Sequence, residues 1–312
     1  MKVWTVSESK IGTSSQCLAV AKFLSPQPSE KTFEPNRNWR RVFDGPLFVR
    51  WEKEPNLVIS CGFRAEKRVM KIKQTYKSRP FTVHLQEPLK PGYDLVFVSR
   101  HGWRPEFDAR PNYHQMLGVP HRFSAAFWDS HRHTARSIYA PNGEKVVTVF
   151  LGGSNGAYVY DDASHRHIAH TVRELAGRGW RVLISVSRRS SAETLAAILP
   201  LNSGSVTVWD RISANPFIDY VAAADAFLIA KDSVTMPCEA LSTGRPVYAL
   251  DLTAAPGERY QKFEQYHQDL QATLKLTRRY EGSLDAYDYE PPAEAERISK
   301  IISSALQAAN GR

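Results

Sequence analysis

The sequence predicts an α/β protein made of two successive doubly wound domains, and three observations carry that expectation. Apolar runs of strand length alternate with stretches of helical period through nearly the whole chain, the pattern of βαβ units on a mostly parallel sheet. At 312 residues and 42% hydrophobic, the chain is long enough for two domains of ordinary size. The charge balance also changes along it: residues 1 to 140 hold 23 Lys+Arg against 12 Asp+Glu, and residues 141 to 312 hold 18 against 20.

In the first half, apolar runs place strands at Lys2–Val6, Asn56–Cys61, Phe81–Leu85 and Asp94–Val98, with helices expected over Ser15–Leu24 and Ala65–Tyr76. In the second half the strands are Val146–Leu151, Arg181–Val186, Ser205–Trp209, Ala226–Ala230 and Pro246–Leu250. Helical period appears there over Ala163–Ala176, Ala192–Leu199, Phe217–Ala224, Met236–Thr243 and Tyr260–Leu274. Pro141-Asn142-Gly143 is strong turn chemistry and coincides with the charge change, which sets an expected boundary between domains at 1–140 and 141–290. Pro291-Pro292 precedes a last segment, 291–312, with Ile298, Ile301, Ile302 and Leu306 on one helical face, able to pack back across the junction.

No window approaches 18 uninterrupted apolar residues, and "MKVWTVSESK" lacks the apolar core and cleavage site of a signal peptide, so a cytoplasmic protein is expected. Cys17, Cys61 and Cys238 are odd in number and far apart, which fits reduced core thiols better than disulfides or a structural zinc cluster. The basic first half suits an anionic partner, whether nucleic acid, an acidic membrane surface or a phosphorylated substrate, or else is a solvated surface.

In an open α/β sheet ligands bind outside the carboxyl ends of the strands, so the residues just after each strand matter most. Four such loops of the second half are chemically suggestive: Gly152-Gly153-Ser154-Asn155-Gly156, Ser187-Arg188-Arg189, Asp210-Arg211 with Asn215-Pro216, and Lys231-Asp232-Ser233. The glycine loop has neither the Lys-Ser/Thr end of a P-loop nor the dinucleotide spacing, and it reads either as an anion cradle or as a plain strand-to-helix turn. For the cradle, Gly153 would let the backbone approach a ligand, Ser154 and Asn155 would donate hydrogen bonds, and the following helix would offer free N–H groups. Arg188 and Arg189 strengthen that reading, because guanidinium groups neutralise phosphate oxygens bidentately. Asp232 and Ser233 look like N-cap residues for the helix that reaches Thr243, with Gly244 ending it. Glu239, on that helix, is either an exposed helix glutamate or an acceptor for the two hydroxyls of a ribose.

The pairing of Gly-Gly-Ser-x-Gly-Ala with a later Ser-x-x-x-x-Glu-Ala-x-x-x-Gly-x-Pro helix resembles the donor half of GT-B glycosyltransferases, including the peptidoglycan N-acetylglucosaminyltransferase. More of the chain is similar to bacterial proteins related to the plant elongated-mitochondria fission factor, some of which are assigned as outer-core lipopolysaccharide glycosyltransferases. The runs "LVISCGFRA", "FTVHLQEP", "YDLVFVSRHG", "GGSNGAY", "SRR" and "NPFIDYVAAADAFLIAKDSVTMPCEALSTGRPV" fall in that family's order and approximate spacing.

The resemblance implies a GT-B-like fold, two Rossmann-like doubly wound domains facing a central cleft, with acceptor binding in the first and a nucleotide-sugar co-substrate gripped by the second. It implies a donor site in which Gly153, Ser154 and Asn155 hold the diphosphate, Arg188 and Arg189 assist, and Glu239 binds the ribose. Asn215 would lie near the base, and Asp232, Ser233 and Met236 would complete the site. No other cofactor is implied. The family's Lys-x-Gly-His-x-x-Gln loop appears here as Lys10, Gly12 and Gln16 with Thr13 in place of the histidine. If that histidine is the general base of the family, another group must serve here or the reaction is lost, and Glu8, Glu87 and His101, each near the carboxyl end of an expected strand, are the candidates. A surface salt bridge for Glu8 and a helix or loop cap for His101 are the plain structural alternatives.

The chain contains no Asp-x-Asp motif of the kind that holds a metal-bound nucleotide-sugar, so a helix N-terminus and arginines would stabilise the departing diphosphate. The repeated Ser-His-Arg-His at 130–133 and 164–167 lacks cysteine or carboxylate partners at ligand spacing, and no metal site is expected. Arg64, Lys67, Arg68, Lys71 and Lys77 on or just beyond one helix, Arg40 and Arg41 after Trp39, and the mixed "HRFSAAFWDSHRH" suit the anionic inner leaflet and a lipid-linked or saccharide acceptor. No RNA- or DNA-binding motif is present. The function expected is sugar transfer from a nucleotide-sugar to a lipopolysaccharide or glycolipid-type acceptor at the membrane periphery, with a non-catalytic adaptor and a nucleotide-sugar epimerase as the rivals.

Overall fold

The computed structural model describes residues 1–9, 11–34, 53–76 and 79–310. Lys10, Trp39, Arg40, Arg41 and Lys77 lie outside the described residues. The chain divides into two compact α/β units, Met1–Arg122 with Ala293–Arg312, and Phe123–Pro292.

The first unit runs β1 (Val3–Glu8), α1 (Ile11–Leu24), β2 (Ser29–Phe33), β3 (Leu57–Cys61), α2 (Glu66–Thr75), β4 (Phe81–Leu85), β5 (Leu95–Ser99) and β6 (Tyr113–Met116). The strands form one parallel sheet in the order β2-β1-β3-β4-β5-β6. Strands β1 and β3 are buried along their whole length because both sheet faces are covered. Val3, Leu57, Ile59, Val83 and Phe97 pack on one face with Cys17, Val20 and Ala21 of α1. Trp4, Val6, Val58, Val96 and Val98 pack on the other with Val69 and Ile72 of α2 and with Phe107. Strands β2 and β6 escape a sequence reading because they are polar edge strands, "SEKTF" and "YHQM", and bury at most one residue each.

The second unit runs α3 (Ala125–Tyr139), β7 (Lys145–Leu151), β8 (Tyr158–Val159), α4 (Asp162–Gly177), β9 (Trp180–Val186), α5 (Ala192–Ile198) and β10 (Val206–Val208). It continues with α6 (Phe217–Ala223), β11 (Ala226–Ala230), α7 (Thr235–Leu241), β12 (Val247–Leu250), β13 (Thr253–Ala254), α8 (Glu258–Gln268) and β14 (Arg278–Arg279). Its main sheet is parallel in the order β10-β9-β7-β11-β12-β14, while β8 and β13 pair antiparallel beside it. In order of appearance that main sheet reads 3-2-1-4-5-6, the dinucleotide-fold order, and its topological switch point falls between β7 and β11. The helix expected over Tyr260–Leu274 ends earlier, at Gln268, and continues as a π-helical turn over Asp269–Thr273.

Helix α3 is the largest departure from the sequence reading, which placed the domain break at 140 and took "HRFSAAFWDSHRH" for a membrane-facing surface. Ser124 caps α3 by accepting from the Phe127 N–H at 3.2 Å. The Trp128 indole is fully buried and donates to Ser242 Oγ at 2.8 Å, while Phe123 packs on it at a tilt and Phe127 meets it edge-on. Arg132 and Arg136 fork onto Asp225, and also donate to the carbonyls that end α6. These aromatics and cations are therefore engaged inside the second unit, and the helix counts with that unit.

The last helix, α9 (Glu294–Asn310), belongs to the first unit. Ala295, Ile298 and Ile302 complete the core cluster over α1, Glu294 accepts from the Leu117 N–H at 2.9 Å, and Arg297 donates to the Gln115 carbonyl at 2.6 Å. Burying the two isoleucines stabilises the unit by roughly 1.5–3 kcal/mol each. Among the described residues no helix is long and apolar enough to cross a membrane.

Each unit buries one neutral histidine. In the first, Ser60 donates to the Val83 carbonyl, so His84 donates through Nδ1 to Ser60 Oγ at 2.9 Å, and its Nε2 has no protein partner among the described residues. In the second, His267 Nε2 donates to the Lys231 carbonyl at 2.8 Å. Burial pushes both imidazoles down to about 4. Because the folded protein resists protons that the unfolded chain binds from about pH 6.5 downward, stability is intact above pH 6.5 and falls between 6.5 and 4. The loss approaches about 3 kcal/mol per histidine at the lower limit. Urea denaturation across that range should show this slope, and His84→Gln should flatten it.

Candidate functional site

Beside the switch point of the second unit, Asp232 after β11 ties together the loops at the carboxyl ends of β7 and β9. Asp232 follows β11 and is 2% exposed. Its Oδ2 accepts the Gly153 N–H and an Arg189 N–H, both at 2.9 Å, and its Oδ1 accepts the Tyr160 hydroxyl at 2.8 Å. Burial raises the Asp232 carboxyl, while the Gly153 amide and Arg189 pull the other way. Burial and the Asp232 charge together raise Tyr160 well above the ordinary phenol range. An aspartate so enclosed is not a helix cap: α7 starts instead with Ser233 Oγ accepting the Met236 N–H at 3.2 Å.

The two glycines after β7 are required by this packing. A Cβ on Gly152 would fall 1.8 Å from Asp232 Oδ2, and one on Gly153 would fall 2.2 Å from the Arg189 carbonyl oxygen. The close approach that glycine permits is therefore to the protein itself. Gly152 donates to Tyr160 Oη at 2.8 Å and accepts from Ser190 Oγ, and the Gly153 carbonyl accepts from Arg189 at 3.1 Å.

Asn155 Oδ1 accepts the amides of Ala157 and Tyr158, its own amide donates to the Tyr158 carbonyl, and its Nδ2 donates to the Asp232 carbonyl. Ser154 Oγ accepts the Tyr160 amide. The sequence reads this loop as an anion cradle or a plain turn, and in the fold the Gly153 amide is occupied by a carboxylate and β8 intervenes before the next helix. That helix, α4, is capped by Asp161, whose Oδ1 accepts the Ser164 N–H at 2.8 Å, so its first turn already faces an anion.

Arg188 is exposed and has no carboxylate partner among the described residues, while Arg189 keeps about half its side chain in solvent despite its pair with Asp232. Glu239 and Met236 are half-buried on α7, and Ser233 is buried. Asn215 is exposed and opens α6 by accepting the Phe217 N–H at 3.0 Å.

A second polar cluster, which sequence reasoning missed, surrounds Lys231. Its ammonium meets Glu264 at 2.5 Å and Asp251 at 3.4 Å. Tyr158 also donates to Glu264, and Arg279 holds Asp251 at 2.6 Å. Burial raises the Glu264 carboxyl, but Lys231 and Tyr158 outweigh it and leave the group below its ordinary value. The adjacent residues Lys231 and Asp232 thus anchor two different charge networks. The signal for it in the sequence was the tyrosine pair in "AYVY" close behind the glycines.

In the first unit the switch point lies between β1 and β3. Glu8, 6% exposed at the end of β1, pairs across it with Arg64 at 2.7 Å. Gln16 is buried, donates to the Gly12 carbonyl at 2.6 Å and accepts from Cys61, while Thr13 donates to the Glu8 carbonyl at 3.4 Å. Glu87 is exposed and pairs with Arg104, and His101 lies half-buried in the short turn after β5.

The glycine packing is checked by substitution. Gly153→Ala should lose about 1–3 kcal/mol of stability, the ordinary cost of overpacking a closed site. Gly12→Ala, where a Cβ meets nothing within 4 Å, should stay within about 0.5 kcal/mol of the parent or gain slightly. Equal effects in thermal and urea denaturation would contradict the assignment.

With two Rossmann-like units in hand, likenesses to known proteins fall into place. The chain is 21% identical to the uncharacterized protein RP120 of Rickettsia prowazekii over 98% of its own length and 99% of that protein. It is 24% identical to the mitochondrial fission protein ELM1 of Arabidopsis thaliana over 64% of its length, and this match spans about half (52%) of the plant protein. Among solved structures it resembles a UDP-GlcNAc 2-epimerase from Neisseria meningitidis bound to UDP-GlcNAc, with a TM-score of 0.55 and 15% identity over 99% of this chain and 100% of that one. The fold is GT-B-like. The family model for mitochondrial fission ELM1 matches residues 11–306, and the chain belongs to that family.

Proposed function

We propose that the second unit binds a nucleotide-sugar at its switch point and that the protein transfers the sugar to a saccharide of lipopolysaccharide or glycolipid type. The observation that carries this reading is the pair Arg188–Arg189 at the rim of a 3-2-1-4-5-6 sheet, where such folds take up nucleotides. Arg188 grips the diphosphate together with the solvent-facing edge of Arg189, and Ser154, Asn155 and Ser233 line the approach. Glu239 accepts the ribose hydroxyls, with Met236 beside it, and Asn215 lies toward the base. Two guanidinium groups stabilise the charge that develops on the leaving diphosphate. In the first unit Glu8, Glu87 or His101 takes the proton from the acceptor hydroxyl. The exposed Lys67 and Lys71 on α2 favour an anionic lipid surface at the cytoplasmic face of the membrane.

Isothermal titration with UDP, GDP, CMP and their sugars tests the donor site. One nucleotide should bind, and Arg188→Ala and Glu239→Ala should each weaken it by about 10- to 100-fold, since a hydrogen bond to a charged group contributes about 1.5–3 kcal/mol. A nucleotide-sugar isomerised in the absence of acceptor would make the protein an epimerase. Binding of no nucleotide would leave a GT-B-like scaffold acting as an adaptor.

A further inference from the structure

The first unit carries a cavity of about 480 Å³ that the donor site does not use. Its origin is topological. A parallel β–β connection ordinarily brings a helix back across the sheet, yet β4–β5 crosses by the loop 86–94 and β5–β6 by 100–112, which holds only two short 3₁₀ turns. The trough left between these two crossovers lies over Val96 of β5, and its volume is in the range of small-molecule sites.

Two features of its lining select a ligand. The first is cationic. Arg110 stands against the rings of Tyr113, at 4.9 Å, and Phe107, at 5.6 Å, and donates to Tyr113 Oη at 3.0 Å. None of these partners is a carboxylate, so among the described residues its charge is oriented but not paired with an acid. Arg104 stands over Phe107 and pairs with Glu87, the one acidic residue of the lining among the described residues. The second feature is a set of flat apolar faces with acceptors beside them. Tyr113 and Pro88 offer ring surfaces, Tyr93, 5% exposed and packed on His84 at 4.7 Å, borders them, and Asn112, whose Nδ2 is held by the Tyr93 carbonyl at 3.0 Å, keeps its Oδ1 as an acceptor.

From this combination we infer that the trough binds a sugar phosphate, with the phosphate on Arg110 and Arg104, the sugar ring against Tyr113 and Pro88, and its hydroxyls donating to Glu87 and Asn112. The assignment is independent of the nucleotide-sugar reading of the second unit, and with Glu87 holding a sugar hydroxyl in the trough, Glu8 and His101 are left as bases for the acceptor.

Isothermal titration of the full chain with glucose 6-phosphate, inorganic phosphate and glucose tests it. Glucose 6-phosphate should bind at least tenfold more tightly than either part alone, and Arg110→Met, which removes the charge and keeps most of the bulk, should lose at least tenfold. Arg110→Lys should keep part of the affinity, because the charge remains while the planar fork is lost. Arg104→Met guards against a folding defect in the first variant, and should also weaken binding with the melting temperature unchanged. Phosphate binding as tightly as glucose 6-phosphate, or both methionine variants binding like the parent, would overturn the assignment. UDP titrated into Arg110→Met keeps the two sites apart. Its binding should be unchanged, and loss of UDP binding by the parent would bear on the donor site alone.

Discussion

The second unit is organised around one buried carboxylate. Asp232 bridges the loops at the switch point by engaging an amide, a phenol and a guanidinium at once. Removing an aspartate from water is costly unless each oxygen finds donors, and here the donors follow β7, β8 and β9. The requirement propagates outward. Gly152 and Gly153 must lack side chains for the carboxylate and the Arg189 carbonyl to approach, Tyr160 must reach inward from beside β8, and Arg189 must cross from the neighbouring loop. Arg188 and the outer edge of Arg189 are what this clamp leaves in solvent at the rim.

The first unit solves the same geometric problem with a different pair. Glu8 and Arg64 meet across its own switch point, so an acid and an arginine bridge the divergence of strands in both units. The units differ in how their sheets are covered. In the second, helices α4 to α7 accompany successive strands, whereas the first loses its helices after β4. What remains is a sheet face roofed by loops, and aromatic residues such as Phe107 and Tyr93 fill only part of the space a helix would occupy.

Net charge was a coarse guide to partners. The first 140 residues are basic by count, but Arg132 and Arg136 are held by Asp225 and by the carbonyl end of α6, and Arg64 is held by Glu8. A guanidinium has five donors, and a helix carboxyl end or a buried acid can absorb most of them without leaving a trace in composition. The cations that still face solvent, such as Lys67 and Lys71 on α2, are a subset that only burial and pairing identify.

Local pattern alone determined much of this protein. Apolar strands with helices between them specified parallel sheets, because a strand buried on both faces has no polar alternation. The polar residues after β7, β9 and β11 were legible as a rim for the same reason, since chain direction fixes which strand end each loop occupies. Polar edge strands such as β2 and the capped helix α3 were not legible, because their burial is decided by neighbours and not by their own period. Neither was the clamp: Asp232 and Gly153 are 79 residues apart, and Arg189 is 43 from Asp232. A sequence shows that Gly152-Gly153 permits a close approach and that Asp232 needs a donor. Only the tertiary structure, by setting β7 beside β11, decided that these two needs are met by each other.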